Sequence, residues 1–361
     1  MFEGVFSNKK ILIMGHTGFK GSWLTLWLKS LGADVCGYSD RVLEAPSHFS
    51  LLGLTDIRHE IGDICDRVRL EETIADFKPD VIFHLAAQAL VHHSLRDPLT
   101  TIQTNALGTA TLLDVVKNHR DIQAVVLITS DKVYENKEWA WGYRESDQLG
   151  GKDPYSASKA AAELIIHSYL RSYFEDSKTI IATGRAGNVI GGGDWAADRI
   201  VPDCVRAWTN GQAAMIRNPL ATRPWQHVLE PLSGYMRLAE LALNGERHIN
   251  HQAYNFGPKS DVTQNVQELL SSMTARWPGS AWSSETNMEK LAAPEAGLLK
   301  LSCDKAHRDL NWHPTWTYEE TVNYTVDWYK AHAEDTNFDA NRLGLEQIVA
   351  YCETAAKQMV N

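Results

Sequence analysis

Lys10–Gly21 reads KILIMGHTGFKG. A short apolar strand runs into Gly15, Gly18 and Gly21, spaced three residues apart, and the next stretch, SWLTLWLKSLG, repeats large apolar residues at helical spacing up to Gly32. Strand, glycine turn and helix in that order predict the first unit of a doubly wound α/β fold. The glycines permit a tight turn and let a diphosphate approach the backbone. The helix start supplies free N–H groups and a favourable dipole. The spacing departs from the G-x-G-x-x-G fingerprint, so the strand–helix context carries the dinucleotide reading; the alternative is a plain tight turn. Phe19 and Lys20 belong to the same loop.

The alternation continues through DVCGYSD, IRHEIGDI, the helical DRVRLEETIADFK, the apolar DVIFHLAA, a long helical TIQTNALGTATLLDVVKNH, AVVLITS, the Ala-rich helix SASKAAAELIIHSYLRSYF and TIIATGRAGNVIG. Continuous apolar runs mark strands buried on both faces. Strands alternating with helices predict a parallel, Rossmann-like sheet with right-handed crossovers. Beyond Asn188 the pattern loosens into Gly-, Pro-, Trp- and Arg-rich segments. Residues 1–187 are expected to form the dinucleotide-binding domain, joined by segments near 225–257. Residues 188–361 are expected to form mainly a smaller, irregular, substrate-binding lobe.

A chain of 361 residues with 44% hydrophobic and 22% charged residues is an ordinary globular sequence, and a net charge of -10 argues against a nucleic-acid surface. Five scattered cysteines form no C-x-x-C pair. Neither a metal site nor a disulfide framework is expected, and a reducing cytoplasm suits the thiols. No signal peptide or membrane span is expected. Twelve tryptophans point either to a site lined with aromatics or to core packing.

The strand ends supply further candidates. Asp40 closes the second strand, where an acid accepts hydrogen bonds from an adenosine ribose and repels a 2′-phosphate. That favours NAD, whereas the adjacent Arg41 is of the type that holds a 2′-phosphate. Asp63 and Ile64 follow the third strand, where an acid reaches an adenine amino group. Leu85, Ala86, Ala87 and Gln88 follow the fourth, and small residues there leave room for a flat ring. Tyr155 and Lys159 stand four apart on a helix and share one face. A nearby ammonium and a cationic nicotinamide favour the phenolate, making a base for a sugar hydroxyl.

GHTGFKG, HLAAQ, TNALGT, SDKVY, YSASK and GRAGNVIG, in this order, resemble the extended short-chain dehydrogenase/reductase family over nearly the whole chain. GHTGFKGSWL, SDKVYEN and RPWQHVLEPLSGY resemble, more narrowly, the CDP-glucose branch of its sugar-nucleotide dehydratases. The resemblance implies a retained NAD, contacted also by Asn105, and a closed redox cycle. C4 of the hexose is oxidised with Tyr155 as base, water leaves across C5 and C6, and the hydride returns to C6. It places a hydroxyl at Ser130 and the acid for water loss at Asp131. The wider family has a glutamate base where this chain has Lys132. Lys132 is then either a partly neutral C5 base or a charged stabiliser of the enolate. A plain salt bridge is the third reading, disfavoured because neighbours in a strand point to opposite faces. For a nucleotide-sugar substrate the resemblance implies Asn188, Arg223 and Asn255, with Arg199, Arg217 and His227 as further candidates. The cytosine preference rests on the resemblance alone.

A 4-epimerase or reductase on the same scaffold needs Tyr155 and Lys159 but no acid for C6, so Asp131 favours dehydration. A non-catalytic dinucleotide-binding protein has no need of the intact Tyr–Lys pair. A homodimer or larger homo-oligomer is expected through the helices near 100–118 and 155–174, whose apolar faces have packing on their own sheet as the alternative.

Overall fold

The computed structural model describes residues 1–2, 4–259, 262–284 and 298–360. Eleven strands occur among them: β1 (Lys10–Met14), β2 (Asp34–Ser39), β3 (Arg58–Ile61), β4 (Val81–His84), β5 (Ala124–Ile128), β6 (Ile180–Ala186), β7 (Val189–Ile190), β8 (Ala214–Ile216), β9 (Gln226–His227), β10 (Ala253–Phe256) and β11 (Trp282–Ser284). Seven form one sheet in the order β3-β2-β1-β4-β5-β6-β10. Every neighbouring pair in it is parallel. β4 and β5 are buried along their whole length, as their unbroken apolar runs require.

Successive side chains go to opposite faces. Ile11, Ile13, Val81, Phe83 and Val126 enter one apolar core with Trp23, Leu232 and Tyr235. Leu12, Met14, Ile82, Val125 and Leu127 enter the other with Leu70, Leu112 and Ile166. Strand order reverses between β2-β1 and β4-β5, which opens a crevice at the carboxyl ends of the strands. The glycine loop, the Leu85–Gln88 segment and Ser130 all lie at those ends.

Two expectations of local structure change. The stretch read as one long helix is Pro98–Ile102, a π-helical turn Gln103–Leu107 and Gly108–Val116. The irregular C-terminal half contains the long helices Tyr318–Glu334 and Ala340–Val360, and the latter packs on the first helix, Phe19–Ser30. The tryptophans serve mostly the core: Trp23, Trp27, Trp225, Trp312, Trp316 and Trp328 are buried. The helix Leu229–Leu243 also lies against β5 and β6. Parallel pairs β7–β9 and β8–β11 lie outside the main sheet.

Candidate active site

Gly15 has φ +85, and a Cβ there would lie 2.7 Å from the Ala86 backbone nitrogen. A Cβ on Gly21 would lie 2.1 Å from the Gly15 carbonyl oxygen. Only glycine allows strand, turn and helix to close this tightly. Gly18 caps the helix Phe19–Ser30 without a side-chain bond, and its first turn holds no acid. The unpaired N–H groups of that turn therefore face the crevice. His16 anchors the loop from below: its Nδ1 meets Ser39 Oγ at 2.9 Å and its Nε2 meets His59 Nδ1 at 2.5 Å. Burial pushes the His16 imidazole down to about 3. It therefore stays neutral, a role the sequence did not announce.

Asp40 and Arg41 are exposed and form a 3.4 Å ion pair at the rim. Asp63 accepts from the Cys65 amide at 2.8 Å, and Ile64 is buried beside it. Leu85 donates its amide to the Met14 carbonyl at 2.9 Å, which joins the two loops of the crevice. Asn105 sits in the π turn. Its Oδ1 accepts from the Gln88 amide at 2.9 Å, and its Nδ2 donates to the Gln88 carbonyl at 2.9 Å and to Ser158 Oγ at 2.8 Å. Asn105 thus ties the Leu85–Gln88 segment to the helix that carries Tyr155 and Lys159. Gln88 itself reaches Thr101.

That helix, Pro154–Tyr173, starts where Asp153 accepts from the Ser156 amide and proline occupies the first turn. Tyr155 and Lys159 are both buried. The Tyr155 phenol lies close to Ser130; burial raises its pKa, while Lys132 and then Ser130 work in the opposite direction. Lys159 donates to the Ile128 carbonyl at 3.4 Å. Burial lowers its ammonium to about 8, with Glu163 opposing.

Ser130 caps a single 3-10 turn, Asp131–Val133, rather than extending the strand. This turn corrects the expectation that disfavoured a salt bridge between Asp131 and Lys132. Their side chains meet at 3.6 Å, because the backbone bends where an extended strand would separate them. Ser130 Oγ also donates to Asp131 Oδ1 at 2.9 Å. Asp131 Oδ2 is buried without a hydrogen-bond partner among the described residues. A Cβ on Gly187 would come within 3.0 Å of it, so glycine in GRAGN keeps that oxygen open.

Behind the strand end lies a network that the sequence did not reveal. Arg185 and Glu163 pair through two bonds of 2.8 and 2.9 Å, both side chains buried. Thr129 donates to Glu163 at 2.6 Å, and Arg185 reaches the Tyr134 hydroxyl at 2.8 Å. The Tyr134 hydroxyl donates to Asn255 Oδ1 at 2.7 Å.

The substrate candidates separate. Arg199 pairs with Asp194 at 2.7 Å, and its guanidinium lies within electrostatic reach of Tyr155. Asn188 accepts the Gln226 amide at 3.3 Å, beside that cluster's β6 loop. Arg223 donates to the Thr222 carbonyl at 2.9 Å. Arg217 lies at the surface, 3.8 Å from Asp198. Asn255 is fully buried, with its Nδ2 donating to the Tyr143 and Ser302 carbonyls. His227 is also fully buried, its ring edge-on to Trp316 at 4.8 Å. The structure therefore gives Asn255 and His227 packing positions away from any open surface.

A protein-family model described as GDP-mannose 4,6 dehydratase matches residues 12–325. A CDP-glucose 4,6-dehydratase of Salmonella typhimurium is 46% identical over 337 residues, spanning 91% of this chain and 92% of the relative. Among solved structures, a UDP-glucose 4-epimerase of Thermotoga maritima superposes with a TM-score of 0.75 at 19% identity, covering 90% of this chain and 100% of that one. A dTDP-glucose 4,6-dehydratase of Streptomyces venezuelae, solved with NAD bound, gives 0.72 at 23% identity, covering 89% and 97%. At such identities the structures establish the fold. With the family model spanning most of its length, the chain belongs to the GDP-mannose 4,6 dehydratase family, within the extended short-chain dehydrogenases/reductases.

Proposed function

We propose that the protein is an NAD-dependent hydro-lyase that converts CDP-D-glucose to CDP-4-keto-6-deoxy-D-glucose. The carrying observation is the convergence of Ser130, Asp131, Lys132 and Tyr155 at one strand end, with a buried Asp131 oxygen left open. The 46% identity to a CDP-glucose 4,6-dehydratase supports the substrate.

The glycine cradle and the uncapped helix start fit a dinucleotide diphosphate. Gly15, Gly18, Phe19 and Gly21 would hold it, Asp40 and Asp63 the adenosine half, and Leu85–Gln88 its flat ring. Bound there, NAD supplies a hydride acceptor at C4 and returns the hydride to C6. Tyr155 takes the proton of the C4 hydroxyl while Ser130 orients the same oxygen. Lys159 beside it favours the phenolate. The 4-ketone acidifies the C5 hydrogen, whose proton passes to a water in the crevice and returns to C5 as the hydride reaches C6. Asp131 then protonates the leaving C6 hydroxyl. The 3.6 Å contact with Asp131 supports Lys132 as a cation that steadies the enolate. Arg199, Arg223 and Asn188 bind the substrate diphosphate, for which a guanidinium fork is suited.

Residues 1–187 with segments near 225–257 form the cofactor-binding unit, and the remainder of 188–361 the substrate lobe. Leu99, Leu107 and Leu164 are exposed on helices flanking the sheet and support a homodimer through that face. The free cysteines support a reducing cytoplasm. No helix among the described residues is long and apolar enough to cross a membrane.

CDP-glucose labelled with deuterium at C4 tests the reaction. Mass spectrometry is expected to find a dehydrated 4-keto product carrying the label at C6. Label retained at C4, or an unchanged mass with inverted C4, favours the epimerase instead.

A further inference from the structure

The reacting groups sit on two separate elements. Tyr155 and Lys159 ride on the helix Pro154–Tyr173, whereas Ser130, Asp131 and Lys132 belong to the turn that follows β5. A base on one element and an acid on another serve the same hexose while the two elements keep their register. β5 ends at Ile128. Beyond it, the Thr129 amide still donates to the Gly184 carbonyl of β6 at 2.9 Å. Ser130 comes next and begins the turn.

Thr129 is where this turn is tied to the helix. It is buried, and its Oγ1 donates to Glu163 Oε1 at 2.6 Å. Glu163 stands four residues beyond Lys159, on the same helix face. Its carboxylate is held in turn by Arg185 of β6, at 2.8 Å on Oε1 and 2.9 Å on Oε2. Thr129 is therefore bound to β6 through its amide and to the helix through its hydroxyl. A second polar tie, from Lys159 to the Ile128 carbonyl, is longer at 3.4 Å and engages an ammonium that the chemistry itself needs. Glu163 does not depend on Thr129 for its own satisfaction, since Arg185 already bonds both its oxygens. The effect of the Thr129 bond thus falls on geometry rather than on the burial of a charge.

We propose that Thr129 is a positioning residue for the reaction: its hydroxyl, anchored on Glu163, keeps Ser130 and Asp131 in register with Tyr155. This role rests on the dehydration reading. Thr129 acts through its neighbours. Ser130 follows it directly, donates to Asp131 Oδ1 at 2.9 Å and accepts the Lys132 amide at 3.2 Å. A tilt at residue 129 therefore carries all three side chains of the turn, while Tyr155 and Lys159 stay with the helix. A relative displacement of about 1 Å between reacting groups costs on the order of a hundredfold in rate.

Rapid-quench single turnovers of CDP-glucose at saturating NAD test this role, because they report a rate constant and an amplitude separately. Thr129→Val keeps the shape of the side chain and removes the donor. Thr129→Ser keeps the donor. The valine variant is expected to fold, since the Arg185–Glu163 pair stays intact. It should show full amplitude, a steady-state KM within about twofold, and a rate constant lower by roughly thirtyfold. The serine variant should stay within about threefold of the unaltered rate constant. A merely structural role lowers the amplitude through loss of folded enzyme and leaves the rate constant alone, and that result overturns the proposal. So does a Thr129→Val chain that does not fold, or one that turns over at the unaltered rate. A serine variant as slow as the valine variant overturns it too, because the hydroxyl is then not the group that matters. If the unaltered enzyme makes no 4-keto sugar from CDP-glucose, the dehydration reading itself fails.

Discussion

The two sides of the β5 carboxyl end differ in how completely their polar groups are satisfied. Behind it, Arg185, Glu163, Thr129, Tyr134 and Asn255 form a closed set of bonds with a bidentate ion pair at its centre. In front, Asp131 Oδ2 and the Tyr235 hydroxyl are buried without partners among the described residues, and Arg199, Asp131, Lys159 and Lys132 all lie within electrostatic reach of Lys20. A satisfied buried network is rigid, whereas an unsatisfied one is costly unless a ligand completes it. The rear network fixes the strand end so that the front can remain open.

The largest expected effect breaks the front alone. Tyr155→Phe removes the phenol and keeps the ring. The expected loss in kcat is about 10⁴-fold, with the melting temperature little changed. Steady-state kinetics and a thermal melt on the same sample check it. Comparable turnover in the variant would remove Tyr155 from the chemistry.

Breaking the rear should act on stability instead. Arg185→Met leaves Glu163 buried without its cation, which costs about 3–5 kcal/mol. Urea unfolding followed by tryptophan fluorescence measures it. A loss below about 1 kcal/mol would show that the network is relaxed rather than rigid.

The contrast also explains what the sequence disclosed. Tyr155 and Lys159 were legible because helical spacing alone puts them on one face. The glycine loop was legible because a strand, a turn and a helix meet within one short segment. Arg185 and Glu163 were not, since an arginine inside the run TIIATGRAG carries no local sign of a partner on another element. The π turn at Asn105 was hidden too. Its composition is helical, and the extra residue in that turn is imposed by bonds to Gln88 and Ser158. The bend at Asp131 escaped because AVVLITS reads as strand to its end, and the turn depends on Ser130 capping it. The substrate lobe was least legible. His227 and Asn255 are among the substrate candidates, and only tertiary packing shows that they are enclosed.

Glu230 sharpens the comparison by offering a buried carboxylate with hydrogen bonds but no cation. It accepts from the Thr315 and Trp316 amides and the Tyr351 hydroxyl. Burial nevertheless raises its carboxyl from 4.5 to about 7. The protonated form is thus favoured in the fold. Its contribution to stability is fully present below pH 4.5 and is lost as pH rises through about 7. The difference corresponds to roughly 3 kcal/mol. Glu230→Gln should flatten that part of the stability–pH curve. If the curve keeps its slope in the variant, another group is responsible.

The smallest effect lies at the rim, where solvent weakens every charge. Asp40 is 62% exposed and its partner Arg41 74% exposed. Their ion pair itself is therefore worth little. The value of Asp40 lies in what it refuses, since a carboxylate at the second strand end repels a 2′-phosphate that a free Arg41 would attract. Asp40→Ala removes the repulsion and releases the guanidinium together. The ratio of NAD to NADP dissociation constants should shift about tenfold toward NADP, or ~1.4 kcal/mol. Fluorescence titration with both cofactors measures it, and the shift should shrink at high salt because both groups are exposed. A ratio that does not move would make Asp40 a solvated turn residue. Cofactor choice would then lie deeper, in the close approach of Gly15 to Ala86.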